Sequence, residues 1–176
     1  MVTVGVDTYV TAAEADEYIA KYYRSTDNQR TAWETAGEDD KEVILRRACA
    51  AVDSLPYRGV KFAYPQVLAF PRYFGTNYAM ISGVLHAGEV DQYPELREVP
   101  EAIKHAQIEE ALELIAPSAA TEYMEAVTGP VESYSIGHLS ETYRTTEAGS
   151  LDAVIASGKA KEMLRPYVGG GYGVCD

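Results

Sequence analysis

The sequence predicts a mainly α protein. The expected form is a small bundle of about four helices, with a long ordered excursion between helices two and three, a short β-hairpin and an extended C-terminal tail. Three observations carry this. Apolar residues recur at helical spacing in separate stretches, and 47% of the chain is hydrophobic, enough to build a core. Prolines punctuate those stretches at Pro56, Pro100, Pro117 and Pro166. One segment, residues 130–143, instead alternates polar and apolar side chains around Gly137, the mark of a hairpin. At 176 residues the chain suits one domain with appendages: residues 1–165 as the helical unit, and 166–176 as a docking tail.

The first helix begins after Thr11. Thr11 and Glu14 have the spacing of a capping box, in which hydroxyl and carboxylate each satisfy an orphan backbone N–H. Ala15, Tyr18, Ile19 and Tyr22 then form one stripe, and Ser25–Asn28 reads as a loop. Trp33 falls in a stretch expected to form a turn of helix. Glu38, Asp39 and Asp40 open the second helix, where carboxylates favour the positive end of the dipole. Its expected apolar stripe is Ile44, Ala48, Ala51 and Leu55, and Pro56 ends it.

Residues 57–98 lack a helical period. They hold Pro65, Pro71 and Pro94 and the rings of Tyr57, Phe62, Tyr64, Phe70 and Tyr73. That is too apolar for a linker and too long for a bare loop, so the reading is an ordered excursion packed on this subunit or a neighbour. The third helix starts with Pro100 in its first position and uses Ile103, Ile108, Ala111, Leu112 and Ile115 as core. Glu109, Glu110 and Glu113 read as an acidic, solvated flank. The hairpin over 130–143 is expected to add to a sheet or pair with a neighbour, because an isolated one is marginal. Ser150 caps a last helix carrying Leu151, Val154, Ile155, Met163 and Leu164, which Gly158 splits.

Charge narrows the function. Lys and Arg number 15 against 27 Asp and Glu, a formal net charge of −12, which disfavours gripping nucleic acid from outside. No apolar run reaches the ~18 residues of a membrane span, so no membrane partner is expected. The opening MVTVGVDTYV has no basic start followed by an apolar stretch, so no signal peptide is expected. The two cysteines, Cys49 and Cys175, have neither a disulfide-framework nor a metal spacing. His86, His105 and His138 show no ligand pattern, and Gly169–Gly173 lacks the strand, helix and Lys of a phosphate loop. No catalytic residue, metal ligand or cofactor is therefore expected. The 14 tyrosines against 3 phenylalanines suit surfaces that become half buried against a partner.

Several segments, taken in order, carry a resemblance. They are Val6–Val10, Ala13–Tyr18, Trp33, Lys41 and Glu42, Ala48, Asp53, Tyr57–Gly59, Gln66–Arg72, Val99–Ile103, Ala106 and Gln107, and Leu164–Gly170. Together they resemble the head–tail connector (adaptor, or head-completion) proteins of tailed bacteriophages, whose members often carry the label of DnaT-like single-stranded DNA-binding proteins. The chain departs from that pattern at Phe70, where Trp is expected, and in the longer stretch 73–98.

The resemblance implies a closed ring of like copies, usually twelve, in the virion neck after assembly in the host cytoplasm. The ring sits under the portal protein, meets a tail stopper, terminator or tail-tube component, and lets double-stranded DNA pass without specific binding. Arg165, Pro166, Tyr167, Gly169, Gly170 and Tyr172 are then the expected portal-docking residues. Tyr57, Tyr64, Phe70, Arg72, Tyr73 and Tyr134 are the expected subunit-interface residues, and Glu109, Glu110 and Glu113 the expected channel lining. The rival reading is a single-stranded nucleic-acid binder, in which aromatics of 57–73 stack bases beside Arg58, Lys61 and Arg72.

Overall fold

The computed structural model describes residues 2–63, 65–74, 78–81, 84–87, 98–118, 133–136, 139–142 and 150–169; the strands within 78–87 and 133–142 are described by their backbone alone. The fold is mainly α. Helix α1 spans Ala12–Tyr22, α2 Asn28–Thr35, α3 Glu38–Asp53, α4 Glu101–Ile115, α5 Leu151–Val154 and α6 Gly158–Leu164. No helix among the described residues is long and apolar enough to cross a membrane.

The expected capping box opens α1. The Thr11 hydroxyl accepts from the Glu14 amide at 3.1 Å, and the Glu14 carboxylate accepts from the Thr11 amide at 2.7 Å. The Trp33 stretch is a full helix, α2, which seats an indole only 1% exposed. Helix α3 starts where the carboxylates predict. Its buried face is Lys41, Leu45, Ala48, Cys49 and Val52, turned from the expected stripe, so that Ile44 and Ala51 sit at the edge of the core. The rotation follows from Lys41, whose ammonium reaches inward to Asp16 at 3.1 Å and so fixes which side of the helix faces α1.

Helix α4 is the axis of the molecule. It packs against α1, α2, α3 and α6. A helix surrounded in this way buries its whole circumference rather than one stripe. Ile103, Ala106, Ile108, Ala111 and Leu112 are all buried, and so are Gln107, Glu109, Glu110 and Glu113. Pro100 is the cap residue before α4, one position earlier than expected. The C-terminal stretch is two short helices. Ser150 caps α5 and Ser157 caps α6, each hydroxyl accepting a backbone N–H three residues on, and Gly158 opens α6.

In the excursion between α3 and α4, residues 57–63 and 65–74 build a first small sheet; residue 64 lies outside the described residues. Strands β1 (Val60–Lys61) and β2 (Arg72–Tyr73) pair antiparallel, Val60 opposite Tyr73. Gly59 turns the chain into β1 at φ +72°, and a Cβ there would stand 2.2 Å from the Tyr73 carbonyl oxygen. Two hairpins follow, of which the sequence predicts only the second. Strands β3 (Tyr78–Ile81) and β4 (Val84–Ala87) pair antiparallel, as do β5 (Ser133–Ile136) and β6 (Leu139–Thr142). Among the described residues each is a two-stranded sheet.

Candidate functional site

The polar residues form two connected structures: a seam along α4 and a junction where the chain's two ends meet the excursion. The seam begins at Gln107. Its side-chain oxygen accepts from the Tyr9 amide at 2.9 Å, and its Nε2 donates to the Thr8 hydroxyl at 2.5 Å and the Leu45 carbonyl at 2.9 Å. One buried amide thereby ties the N-terminal segment to α3 and α4. Glu109, 3% exposed, accepts from the Tyr18 hydroxyl at 2.8 Å and the Tyr23 hydroxyl at 2.5 Å. The Lys159 ammonium closes this group from α6. It lies 3.6 Å from Glu109 Oε2, donates to the Tyr23 hydroxyl at 2.8 Å and stands over the Tyr23 ring.

Glu110, 1% exposed, takes both backbone N–H groups at the start of α6, from Ala156 at 3.0 Å and Ser157 at 2.9 Å. Burial pushes its carboxyl above the usual carboxylate range; the two amides and Lys161 pull it back in part, while Glu113 adds to the rise. Glu113 accepts from Gln29 Nε2 at 2.9 Å and from the Ser118 amide at 2.7 Å. Burial and the Glu109 carboxylate raise Tyr18 and Tyr23 well above an ordinary phenol, so both keep the proton that they donate to Glu109.

These partners correct the acidic-flank reading. Glu109, Glu110 and Glu113 face inward, satisfy phenols, an amide side chain and helix ends, and do not present a lining to a channel. Spacing alone marks them as solvated, because a helix packed on one side has an outer face, whereas α4 is packed by four helices.

The junction involves three of the expected interface residues, and it uses them inside the subunit. Asp53 Oδ1 accepts from the Tyr9 hydroxyl and from the Ala69 amide, the latter at 2.6 Å. The Tyr9 hydroxyl in turn accepts from the Phe70 amide at 3.2 Å. Phe70 is fully buried and meets Tyr9, Tyr57 and Tyr167 edge to face. The Tyr57 hydroxyl donates to the Val52 carbonyl at 2.7 Å. The Arg72 guanidinium donates to four carbonyls: Arg58 at 2.7 Å, Gly59 at 2.6 Å, Tyr57 at 3.2 Å and Ala69 at 3.3 Å. Phe70, Tyr57 and Arg72 therefore hold the excursion to the bundle, Arg72 by gathering carbonyls from the segments that lead into β1 and β2. Tyr73 is half buried in β2, while Tyr64 and the Tyr134 side chain lie outside the described residues.

The start of the expected docking tail closes on its own chain. The Arg58 amide donates to the Tyr167 carbonyl at 2.9 Å, and the Gly169 amide to the Pro56 carbonyl at 2.8 Å, with Tyr57 and Val168 in an antiparallel bridge. The Tyr167 ring lies against Phe70 and Phe74. Tyr167 and Gly169 are thus structural, Arg165 and Pro166 stay exposed, and Gly170 and Tyr172 fall outside the described residues.

The buried polar side chains described here all have partners. Among the described residues no group of His, Cys, Asp and Glu could hold a metal. The His105 ring lies on the Tyr18 ring. Burial, with Asp53 nearby, pushes the Cys49 thiol up to about 12, which makes it a poor nucleophile. The arrangement holds shape.

Part of this frame is built from residues that carry the resemblance. Thr8 and Gln107, Tyr9 and Asp53, the Arg72 fork and the Leu164–Gly169 clasp are all internal contacts. So is Asp16, which accepts from the Trp33 indole at 2.6 Å and from Lys41. Gln66 belongs with them, its Nε2 donating to the Leu68 and Pro71 carbonyls. The chain is thus a small, mainly α protein held by a polar internal frame. More particularly, the chain belongs to the family described as "Putative DnaT-like ssDNA binding protein", whose model matches residues 1–175. No curated protein and no solved structure matches it significantly.

Proposed function

We propose that the chain is an assembly subunit: a connector that forms a ring of like copies between the portal and the tail of a tailed phage, completes the head and continues the DNA channel. One observation carries the reading. Three of the residues that could form a nucleic-acid groove at 57–73 are engaged inside the subunit: Phe70 is buried, the Tyr57 hydroxyl donates to the Val52 carbonyl, and Arg72 reaches four carbonyls. The chain's net charge of −12 suits both contacts between proteins and DNA that must slide past without adhering. The two-stranded hairpins support the same reading. Each leaves edge strands unpaired among the described residues, and such edges are templates for pairing with another chain.

The family's description favours a second reading, binding of single-stranded DNA. Arg58 and Lys61 are exposed and could track a backbone. Two measurements separate the readings. Native mass measurement with and without the portal protein of the same phage, followed by imaging, should give a closed ring on the portal. Anisotropy of a labelled thymidine oligonucleotide should show no salt-dependent binding at low ionic strength. Salt-dependent binding by a chain that stays solitary beside the portal would reverse the choice.

A further inference from the structure

The two ends of α3 carry surfaces of opposite charge. Beyond its C-terminal end, residues 54–74 contain no Asp or Glu but carry Arg58, Lys61 and Arg72, and the clasp that closes on them adds Arg165. No carboxylate pairs with Arg58, Lys61 or Arg165 among the described residues. Beside them stand two of the large apolar side chains left in water, Val67 at 62% and Phe74 at 43% exposure.

The opposite end of α3 is the complement. Asp16, Glu34, Glu38, Asp39 and Asp40 gather there against two cations, Arg30 on Glu34 and Lys41 on Asp16 and Glu38. Asp39 and Asp40 are exposed, and no cation pairs with them among the described residues. Val43, 50% exposed, follows them by four and three positions and so shares their face of the helix. One end is thus basic with exposed apolar groups, and the other is acidic with one. A 16-residue helix separates them by ~24 Å. The screening length at physiological salt is about 8 Å, so the two ends act independently despite the net charge of the whole.

We propose that these ends are the two halves of one head-to-tail contact. The basic end of one copy (Arg58, Lys61 and Arg165 around Phe74 and Val67) docks on the acidic end of the next (Asp39 and Asp40 around Val43). The occupant of each surface is a second copy of this chain. The contact is heterologous, so repetition closes a ring or runs on as a filament. It deepens the connector reading by naming the faces that would build the ring.

The test uses two full-length variants, R58E/R165E and D39K/D40K, with sedimentation velocity over a concentration series at physiological salt. Circular dichroism checks that each remains folded. Each variant alone should self-associate more weakly than the unsubstituted chain by on the order of tenfold, since like charges then face each other. An equimolar mixture should regain association, because each reversed end meets a reversed partner. If a reversal costs the fold, R58Q/R165Q and D39N/D40N should still weaken association, without rescue on mixing.

An unsubstituted chain that stays monomeric throughout, variants that associate unchanged, or a mixture of folded reversal variants that gains nothing would each overturn the proposal. Addition of the portal protein separates it from the wider reading. Rings on the portal that take up both variants freely would reject these faces and leave the connector role standing. Pole-dependent association with no portal binding would do the reverse.

Discussion

Glu110 concentrates the physics of the polar seam in one side chain. It holds the start of α6 through two amides, yet burial keeps its carboxyl above the value of 4.5 that it has in the unfolded chain. The folded state therefore binds the extra proton in the window between 4.5 and that raised value. Stability falls as pH rises through this window, and the loss is complete above it. Thermal melts of the unsubstituted chain and of E110Q, taken from pH 7 down to 4.5, should show this as a difference. The unsubstituted chain should gain stability relative to E110Q as the pH falls. A constant difference would remove Glu110 as the cause. Glu101, held low by Lys104 on the exposed start of α4, works with the opposite sign at lower pH and is common to both proteins. None of this was legible in the sequence. The run Glu109, Glu110, Glu113 has the pattern of a wet helix face, and only the neighbours around α4 turn it inward.

At the scale of elements, the sequence served best where local chemistry decides. The Thr11 capping box, the acidic opening of α3, the Ser150 cap and the break at Gly158 are short-range effects, and each lies where its residues predict. The rotation of α3 and the full burial of α4 depend on contacts distant in sequence, Lys41 with Asp16 and α4 with four helices, and no periodicity reports those. The candidate site behaved likewise. Tyr57, Phe70 and Arg72 stand out in the sequence, but whether an aromatic turns outward to a partner or inward to its own core is decided by chain closure. The sharpest element-scale test is the turn into β1. Gly59→Ala asks an L-residue to adopt φ +72° with its Cβ against the Tyr73 carbonyl. The left-handed backbone alone costs about 1–2 kcal/mol, and the clash must also part β1 from β2. The melting temperature should fall and the Arg72 fork should loosen, with faster amide exchange at residues 58–61. An unchanged melt would mean that this turn relaxes freely.

For the molecule as a whole, the clasp at 164–169 decides whether the C-terminus is a free arm or part of the frame. Its two backbone hydrogen bonds to Pro56 and Arg58, and the Tyr167 ring on Phe70 and Phe74, make it the last piece of the core to be laid down in sequence. A chain cut after Pro166 loses the ring and both bonds and exposes Phe70. Burying a large aromatic ring is worth about 2–3 kcal/mol, so the melting temperature should drop by roughly 5–10 °C for a chain of this size. Tyr167→Phe, which keeps the ring, should stay within about 0.5 kcal/mol of the parent. The helices of the cut chain should survive by circular dichroism, because α1 to α4 pack without the clasp. The comparison with portal binding then becomes informative. If the cut chain loses the portal while Tyr167→Phe keeps it, and the melt falls only as the ring burial predicts, the clasp serves both the subunit and its docking. If the cut chain melts like the parent, residues 167–169 are not part of the frame, and the tail returns to being an arm available to a partner.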